Sequence, residues 1–225
     1  GKVIMLHFNG VYSGIFVLIN GQKVGYSEGA NNDAEFNITK YVKTGTNTIA
    51  AEVYRFTDAS YIEDQDMFRL SGIHRDVYVY ATPKVHVRDY FLKSEFNGND
   101  FSAATFKAEL SVRNYGNSTA KAETAELSLL DPSGKEVVTL SQSIASLKGS
   151  TEQKYDLQAK VNNPLLWSAE NPHLYTAIVS LKNSEGEVTE AMSSKFGFRK
   201  IEIKNKRVYI NNKAVFFKGV NRHDI

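Results

Sequence analysis

Apolar side chains recur at every second position in run after run of this chain, and Gly, Asn, Asp, Ser and Pro break the runs at intervals typical of β-sandwiches. A period of two places alternate side chains on opposite faces of an extended backbone, so it builds half-buried strands and does not suit a helix, whose period is 3.6. Strong helical periodicity is absent. The pattern predicts an all-β protein, and 225 residues are enough for two domains of ordinary size or one large sandwich, each with a sizeable core.

The turn residues divide the chain. Asn20-Gly21, the strongest short hairpin signal, lies between apolar runs. Strands are expected over residues 15–19, 22–27, 49–56 and 77–80, in a first sandwich covering residues 1–83, with Thr82-Pro83-Lys84 as a linker. From Val85 to about Lys195 the alternation returns in about seven runs, among them 105–113, 125–130, 155–160 and 175–182. Their turns include Asp131-Pro132-Ser133-Gly134 and Asn183-Ser184-Glu185-Gly186. Seven short strands with such turns point to an immunoglobulin-like β-sandwich over residues 84–197. With no cysteine it must hold by packing alone. The single tryptophan, Trp167, lies between Pro164 and Pro172 and is read as an aromatic plug near a domain junction rather than a sugar-stacking platform.

Composition removes several classes of function. The formal net charge is +2, with Lys and Arg scattered singly, so no basic stripe suggests nucleic acid or an anionic membrane. No window approaches eighteen uninterrupted apolar residues, so the chain is expected to be soluble. The absence of cysteine excludes thiolate catalysis and cysteine-ligated zinc. The histidines, at positions 7, 74, 86, 173 and 223, never fall at metal-motif spacing.

The tail from residue 198 changes character. It reads as a hairpin turning at Asn211 and Asn212, followed by a strand over residues 215–220 that is apolar on both faces apart from Lys218, as a parallel barrel strand would be. Asn221, Arg222, His223 and Asp224 follow at its carboxyl end, where barrel enzymes place their active-site residues. Both termini are expected to be internal to a longer protein, since the first residues enter directly on an apolar run and the last follow a strand with no cover.

Asp58 to Tyr80, DASYIEDQDMFRLSGIHRDVYVY, packs acidic, aromatic and cationic side chains around Gly72. Its SGIHRDV segment, Ser71 to Val77, resembles the core signature of glycoside hydrolase family 2, and the EDQD run, Glu63 to Asp66, resembles that family's β-galactosidase branch. Asn9-Gly10-Val11, the Trp167 segment, Phe198-Arg199-Lys200-Ile201 and the GVNRHD tail fall in the family's order, so the resemblance covers the whole chain. It implies a partial jelly-roll (galactose-binding-like) sandwich, the immunoglobulin-like domain, and over residues 198–225 the first strand of a (β/α)8 catalytic barrel.

The resemblance also implies a function. Members are retaining glycosidases whose two catalytic glutamates, with carboxyl groups about 5 to 5.5 Å apart, lie on later barrel strands. Both are expected beyond Ile225, so the fragment alone is expected to be inactive. Asp64 and Asp66 do not substitute for them. In an extended segment they sit side by side about 6.6 Å apart, which does not flank a sugar from opposite sides, and clustered carboxylates suit a hard cation or solvent. By resemblance Asp66 binds sodium and contacts galactose, His223 lines the sugar pocket, and the parent uses sodium and magnesium. Asn221, Arg222 and Asp224 are read as orienting the barrel mouth, and Arg75 and Asp76 as tying the EDQD loop to its sheet. Expected partners are a galactoside substrate and the remainder of the barrel. A homo-oligomeric parent and a cytoplasmic or periplasmic location are left open. Two other readings stand beside this one: a β-glucuronidase- or β-mannosidase-like sibling, in which EDQD is not expected, and a non-catalytic carbohydrate-binding module.

Overall fold

The structure is a computed structural model that describes all residues except 30–31, 64–69, 122 and 222–225. Its strands fall into two compact units, Gly1–Pro83 with Val220–Ile225, and Lys84–Gly219. Among the described residues both are all-β, apart from one short helix in the first.

The first unit contains β1 (Val3–Phe8), β2 (Val11–Tyr12), β3 (Gly14–Ile19), β4 (Gln22–Glu28), β5 (Ala34–Asn37), β6 (Ile49–Tyr54), α1 (Asp58–Ile62), β7 (Gly72–Ile73) and β8 (Val77–Thr82). Two antiparallel sheets form, β5-β1-β8 and β4-β3-β6, while β2 pairs with β7. The alternation puts Leu6 and Phe8 of β1, Ile15, Val17 and Ile19 of β3, and Ala34 and Phe36 of β5 into one core. Each such fully buried aliphatic or aromatic side chain contributes about 1.5–3 kcal/mol. The β3–β4 hairpin turns at Asn20 (φ +52°) and Gly21 (φ +79°), both in the left-handed region that a two-residue turn of this hand requires. Asn20 also ties that turn to the next loop. Its Oδ1 accepts from Thr48 N–H at 3.0 Å and its Nδ2 donates to Tyr41 O at 2.9 Å.

The second unit contains β9 (Val85–Asn97), β10 (Asp100–Asn114), β11 (Glu123–Leu130), β12 (Glu136–Ile144), β13 (Glu152–Asn162), β14 (Tyr175–Lys182) and β15 (Val188–Phe196). They form the antiparallel sheets β13-β10-β9 and β12-β11-β14-β15, the immunoglobulin-like sandwich that the spacing predicts. Inward positions alternate strictly: Phe106, Ala108 and Leu110 on β10, Ala125, Leu127 and Leu129 on β11, and Ala177, Val179 and Leu181 on β14 are all buried. The two expected turns share one device. Asp131 Oδ1 accepts from the N–H groups of Ser133 and Lys135, and Asn183 Oδ1 accepts from those of Glu185 and Glu187, so each side chain organises its own loop.

Glu123 interrupts this apolar pattern, because it occupies the inward position two residues before Ala125 on β11. Its Oε2 is buried with no hydrogen-bond partner. Burial, and then the nearby Glu190 carboxylate, raise its pKa from 4.5 to about 7. A carboxyl whose folded pKa lies above its unfolded value binds its proton more tightly when folded. The stabilisation is therefore complete below about pH 4.5 and is lost as the pH rises through 7. Melting between pH 5 and 8 should show the loss, on the order of 2 kcal/mol after discounting for partial solvent access. Glu123→Gln should remove that slope, and an unchanged slope would show that another group titrates.

After the sandwich, β16 (Ile201–Lys204), β17 (Arg207–Ile210) and β18 (Lys213–Ala214) form a small antiparallel sheet. Its turns, Asn205-Lys206 and Asn211-Asn212, have φ of +48°, +62°, +48° and +64°. The Asn211-Asn212 turn is the expected one. The strand expected over residues 215–220 is not formed. Val215 N–H donates to Val208 O at 2.9 Å, but no described residue forms a ladder with 216–220, and Phe216 and Val220 are 84 and 91 % exposed. A run that is apolar on both faces becomes a strand only where neighbours supply both the hydrogen bonds and the cover.

Candidate functional site

The segment singled out by its acidic and aromatic density is held at both of its described flanks by the same stretch of chain, residues 9–14. On the entry side, α1 begins with a reciprocal cap between Thr57 and Ser60, in which Thr57 N–H donates to Ser60 Oγ at 2.9 Å. Ser13, 1 % exposed, lies beneath it, its Oγ 2.7 Å from Thr57 Oγ1 and 2.9 Å from Ser60 Oγ. Glu28 completes the anchor by accepting from Ala59 N–H at 2.9 Å, and this bond, followed by that from Tyr26, holds its carboxyl below the usual range. On the exit side, β7 pairs with β2, Val11 with Ile73 and Tyr12 with Gly72. Arg75 donates to Asn9 O at 3.2 Å, and Asn9 N–H donates to Asp76 O at 3.0 Å. At Gly10 a Cβ would lie 2.9 Å from His74 Nε2, so a larger residue there would push that exposed ring aside.

Asp64 and Asp66 lie outside the described residues, as do Arg222, His223 and Asp224. Asn221 is described and exposed. What the structure adds is the frame on either side of residues 64–69, built from hydroxyls, a carboxylate and a two-residue strand pair. Such a frame fixes the described residues on both flanks, and rigid supports of this kind are the usual way in which binding residues are held. Among the described residues, no group of three or more His, Asp or Glu side chains can hold a metal ion.

A second cluster had no signal in the sequence. On the outer face of β5-β1-β8, His7 stacks on Tyr78 at 4.8 Å with a 20° interplanar angle, and its two ring nitrogens lie 3.2 Å from Glu35 and 3.5 Å from Asp33. Glu35 also accepts from Tyr80 O–H. Cross-strand register centres the cluster on His7, which lies opposite Glu35 on one side and Tyr78 on the other.

Trp167, in the second unit, is held through its backbone and its ring. Trp167 N–H donates to Phe198 O at 2.9 Å, Asn211 Nδ2 donates to Trp167 O at 3.0 Å, and the Arg199 guanidinium lies over the indole at 4.6 Å. A Cβ at Gly197 would meet the Trp167 Cβ at 2.9 Å, so the close approach of the 197–199 segment depends on that glycine. No described helix is long and apolar enough to cross a membrane.

Two successive β-sandwich units, the first with a hydroxyl-capped frame beside residues 64–69, define a modular all-β protein. Residues 2–83 match the sugar binding domain model of the glycosyl hydrolases family 2, residues 85–199 match a second model of that family, and the chain belongs to it. A β-galactosidase of Priestia megaterium is 42% identical over 221 residues, covering 98% of this chain and 21% of its own length. One of Clostridium acetobutylicum is 40% identical over 223 residues, covering 99% and 24%. The chain thus spans about a fifth of the length of the curated relatives it matches. Among solved structures, a β-glucuronidase of Bacteroides uniformis superimposes with a TM-score of 0.88 at 24% identity, covering 99% of this chain and 27% of that one. A putative β-galactosidase of Bacteroides fragilis does so with 0.81 at 24%, covering 96% and 33%. At these identities the superpositions speak for the fold alone.

Proposed function

We propose that this chain is an internal segment of a retaining β-galactosidase that hydrolyses terminal non-reducing β-D-galactosides. The observation that carries the reading is identity of about 40% to β-galactosidases across nearly the whole chain, and the chain's EDQD run, Glu63 to Asp66, resembles the same branch. In this reading the two sandwiches shape the sugar pocket. The catalytic glutamates lie on the barrel of the parent protein, which this segment does not carry.

Asp66 is the residue proposed to touch substrate. Its carboxylate accepts from a galactose hydroxyl and supplies one oxygen ligand to a sodium ion, the remaining ligands coming from the parent; a hard monovalent cation suits such an oxygen donor. Magnesium is proposed for the parent as well. His223 donates a hydrogen bond to a sugar hydroxyl. The frame built from Ser13, Thr57, Ser60 and Glu28 on one flank, and from Asn9 and Arg75 on the other, supports this reading because it fixes where residues 64–69 begin and end.

The purified 225-residue chain should show no turnover of a chromogenic β-galactoside, while the full-length parent should hydrolyse it. Turnover that co-purifies with the short chain through successive columns would sink the proposal that the catalytic glutamates lie elsewhere.

A further inference from the structure

Asn-Gly occurs at Asn9-Gly10, Asn20-Gly21 and Asn97-Gly98, and every other asparagine precedes a residue that carries a side chain. The dipeptide is chemically unstable, because glycine has no Cβ to shield its backbone nitrogen from the carboxamide carbon before it. Attack by that nitrogen also requires rotation about the asparagine Cα–C bond and a carboxamide that is free to turn. The fold removes this freedom at Asn9 and Asn20 and leaves it at Asn97.

Asn20 is held by its side chain. Its Oδ1 accepts from Thr48 N–H at 3.0 Å, and its Nδ2, the nitrogen that would have to leave, donates to Tyr41 O at 2.9 Å and to Asn47 Oδ1 at 2.8 Å. Asn9 is held by its backbone, since its N–H donates to Asp76 O at 3.0 Å, its carbonyl accepts from Arg75 at 3.2 Å, and Gly10 is buried against the His74 ring. Asn97 has neither restraint. It is exposed, its carboxamide makes no hydrogen bond among the described residues, and a Cβ on Gly98 would meet nothing within 4 Å. It faces Asp100 across a tight turn in which Gly98 takes φ +60°, and a register shift cuts this pair off from the next one, Phe96 with Ala104. Opening a lone pair at the tip of a hairpin is among the least costly motions a sheet allows.

We infer that Asn97 is a site of spontaneous deamidation, selected by the fold from the Asn-Gly pairs of the chain. The Gly98 backbone nitrogen attacks Asn97 Cγ and gives up its proton, the Cγ–Nδ2 bond breaks, and ammonia leaves as the succinimide ring closes. Water then adds to either ring carbonyl. Opening at Cγ leaves an aspartate at position 97, and opening at the main-chain carbonyl leaves an isoaspartyl link. Water is consumed and ammonia released, with no oxidant or reductant involved. Both products place a negative charge opposite Asp100, and the isoaspartyl product adds a methylene to the main chain ahead of Gly98. The Lys200 ammonium donates to Gly98 O at 2.6 Å, so the lengthened link displaces the carbonyl that anchors this turn.

The test is peptide mapping by mass spectrometry of the 225-residue chain, incubated at mildly alkaline pH in native buffer and, in parallel, in concentrated urea. In native buffer the peptide carrying Asn97 should convert from amide to acid at least about tenfold faster than those carrying Asn9 and Asn20, with isoaspartate in excess of aspartate. In urea the rates at the three asparagines should converge, because local sequence alone then sets them. Asn97→Gln should end ammonia loss from its own peptide and leave the other two unchanged. The inference is overturned if Asn9 or Asn20 reacts as fast as Asn97 in native buffer, if Asn97 stays intact there while the urea sample reacts, or if the native order of rates persists in urea. Aspartate without isoaspartate would overturn it too, since that product marks direct hydrolysis of the amide. None of these outcomes depends on which sugar the parent cleaves.

Discussion

Phe198→Ala should lower the stability of the second unit by about 3–5 kcal/mol, the largest effect expected of any single core truncation in this chain. Phe198 is fully buried, and its ring meets Tyr175 at 4.9 Å, Phe196 at 5.1 Å and Phe106 at 6.3 Å. Phe106 and Phe196 touch each other at 5.1 Å, so four rings share one site at the end of the sandwich. Three of their contacts are edge-on, which adds to the area term. Truncation leaves a void walled by three rigid rings that cannot collapse into it, which is why the upper part of the range applies. The melting temperature should fall by roughly 10–20 °C. Phe91→Ala is the control: that ring is 56 % exposed, and its loss should shift melting by only a degree or two. If Phe198→Ala melted within about 3 °C of wild type, the aromatic cluster would not be the keystone that its geometry indicates.

Asp66→Ala in the full-length parent should lower kcat/KM for an aryl β-galactoside by about 100-fold or more, with little change in melting temperature. The two halves of this expectation have separate origins. The functional loss follows from removing a carboxylate proposed to touch both sugar and sodium. The structural tolerance follows from the frame, since Ser13, Thr57, Ser60, Glu28 and Asn9 hold the flanking residues through bonds among themselves and to Ala59 and Asp76. Asp64→Ala should change kcat/KM by no more than a few-fold, because no contact with sugar or sodium is proposed for Asp64. Activation by sodium at constant ionic strength should disappear in Asp66→Ala and persist in Asp64→Ala. Equal losses in the two variants would mean that the cluster acts only through its charge.

The sequence made the strands legible wherever a face is half buried. Residues 175–182 alternate strictly and form β14 with those limits, and Asn20-Gly21 turns where a two-residue hairpin needs two left-handed residues. Local patterns do not encode what a segment pairs with. Residues 215–220 look like a strand because they are apolar, yet they find no ladder among the described residues. Helix α1 is too short for a 3.6 period to register, and only its Thr57–Ser60 cap could have marked it. The same limit governed the sites. Asp66 and His223 stand out by carboxylate clustering and by position after an apolar run, take their roles from a family resemblance, and lie outside the described residues. The His7 cluster depends on register across β5, β1 and β8.

The account turns on which sugar the parent protein cleaves, because the fold is shared with β-glucuronidases while the sequence is closer to β-galactosidases. The most direct test is the ratio of kcat/KM for 4-nitrophenyl β-galactoside and 4-nitrophenyl β-glucuronide, measured on the full-length parent under identical conditions. A pocket built around one sugar's polar groups rejects an analogue that leaves those groups unpaired. The account predicts a galactoside preference of at least about 100-fold, and a parent that cleaved the glucuronide faster would contradict it.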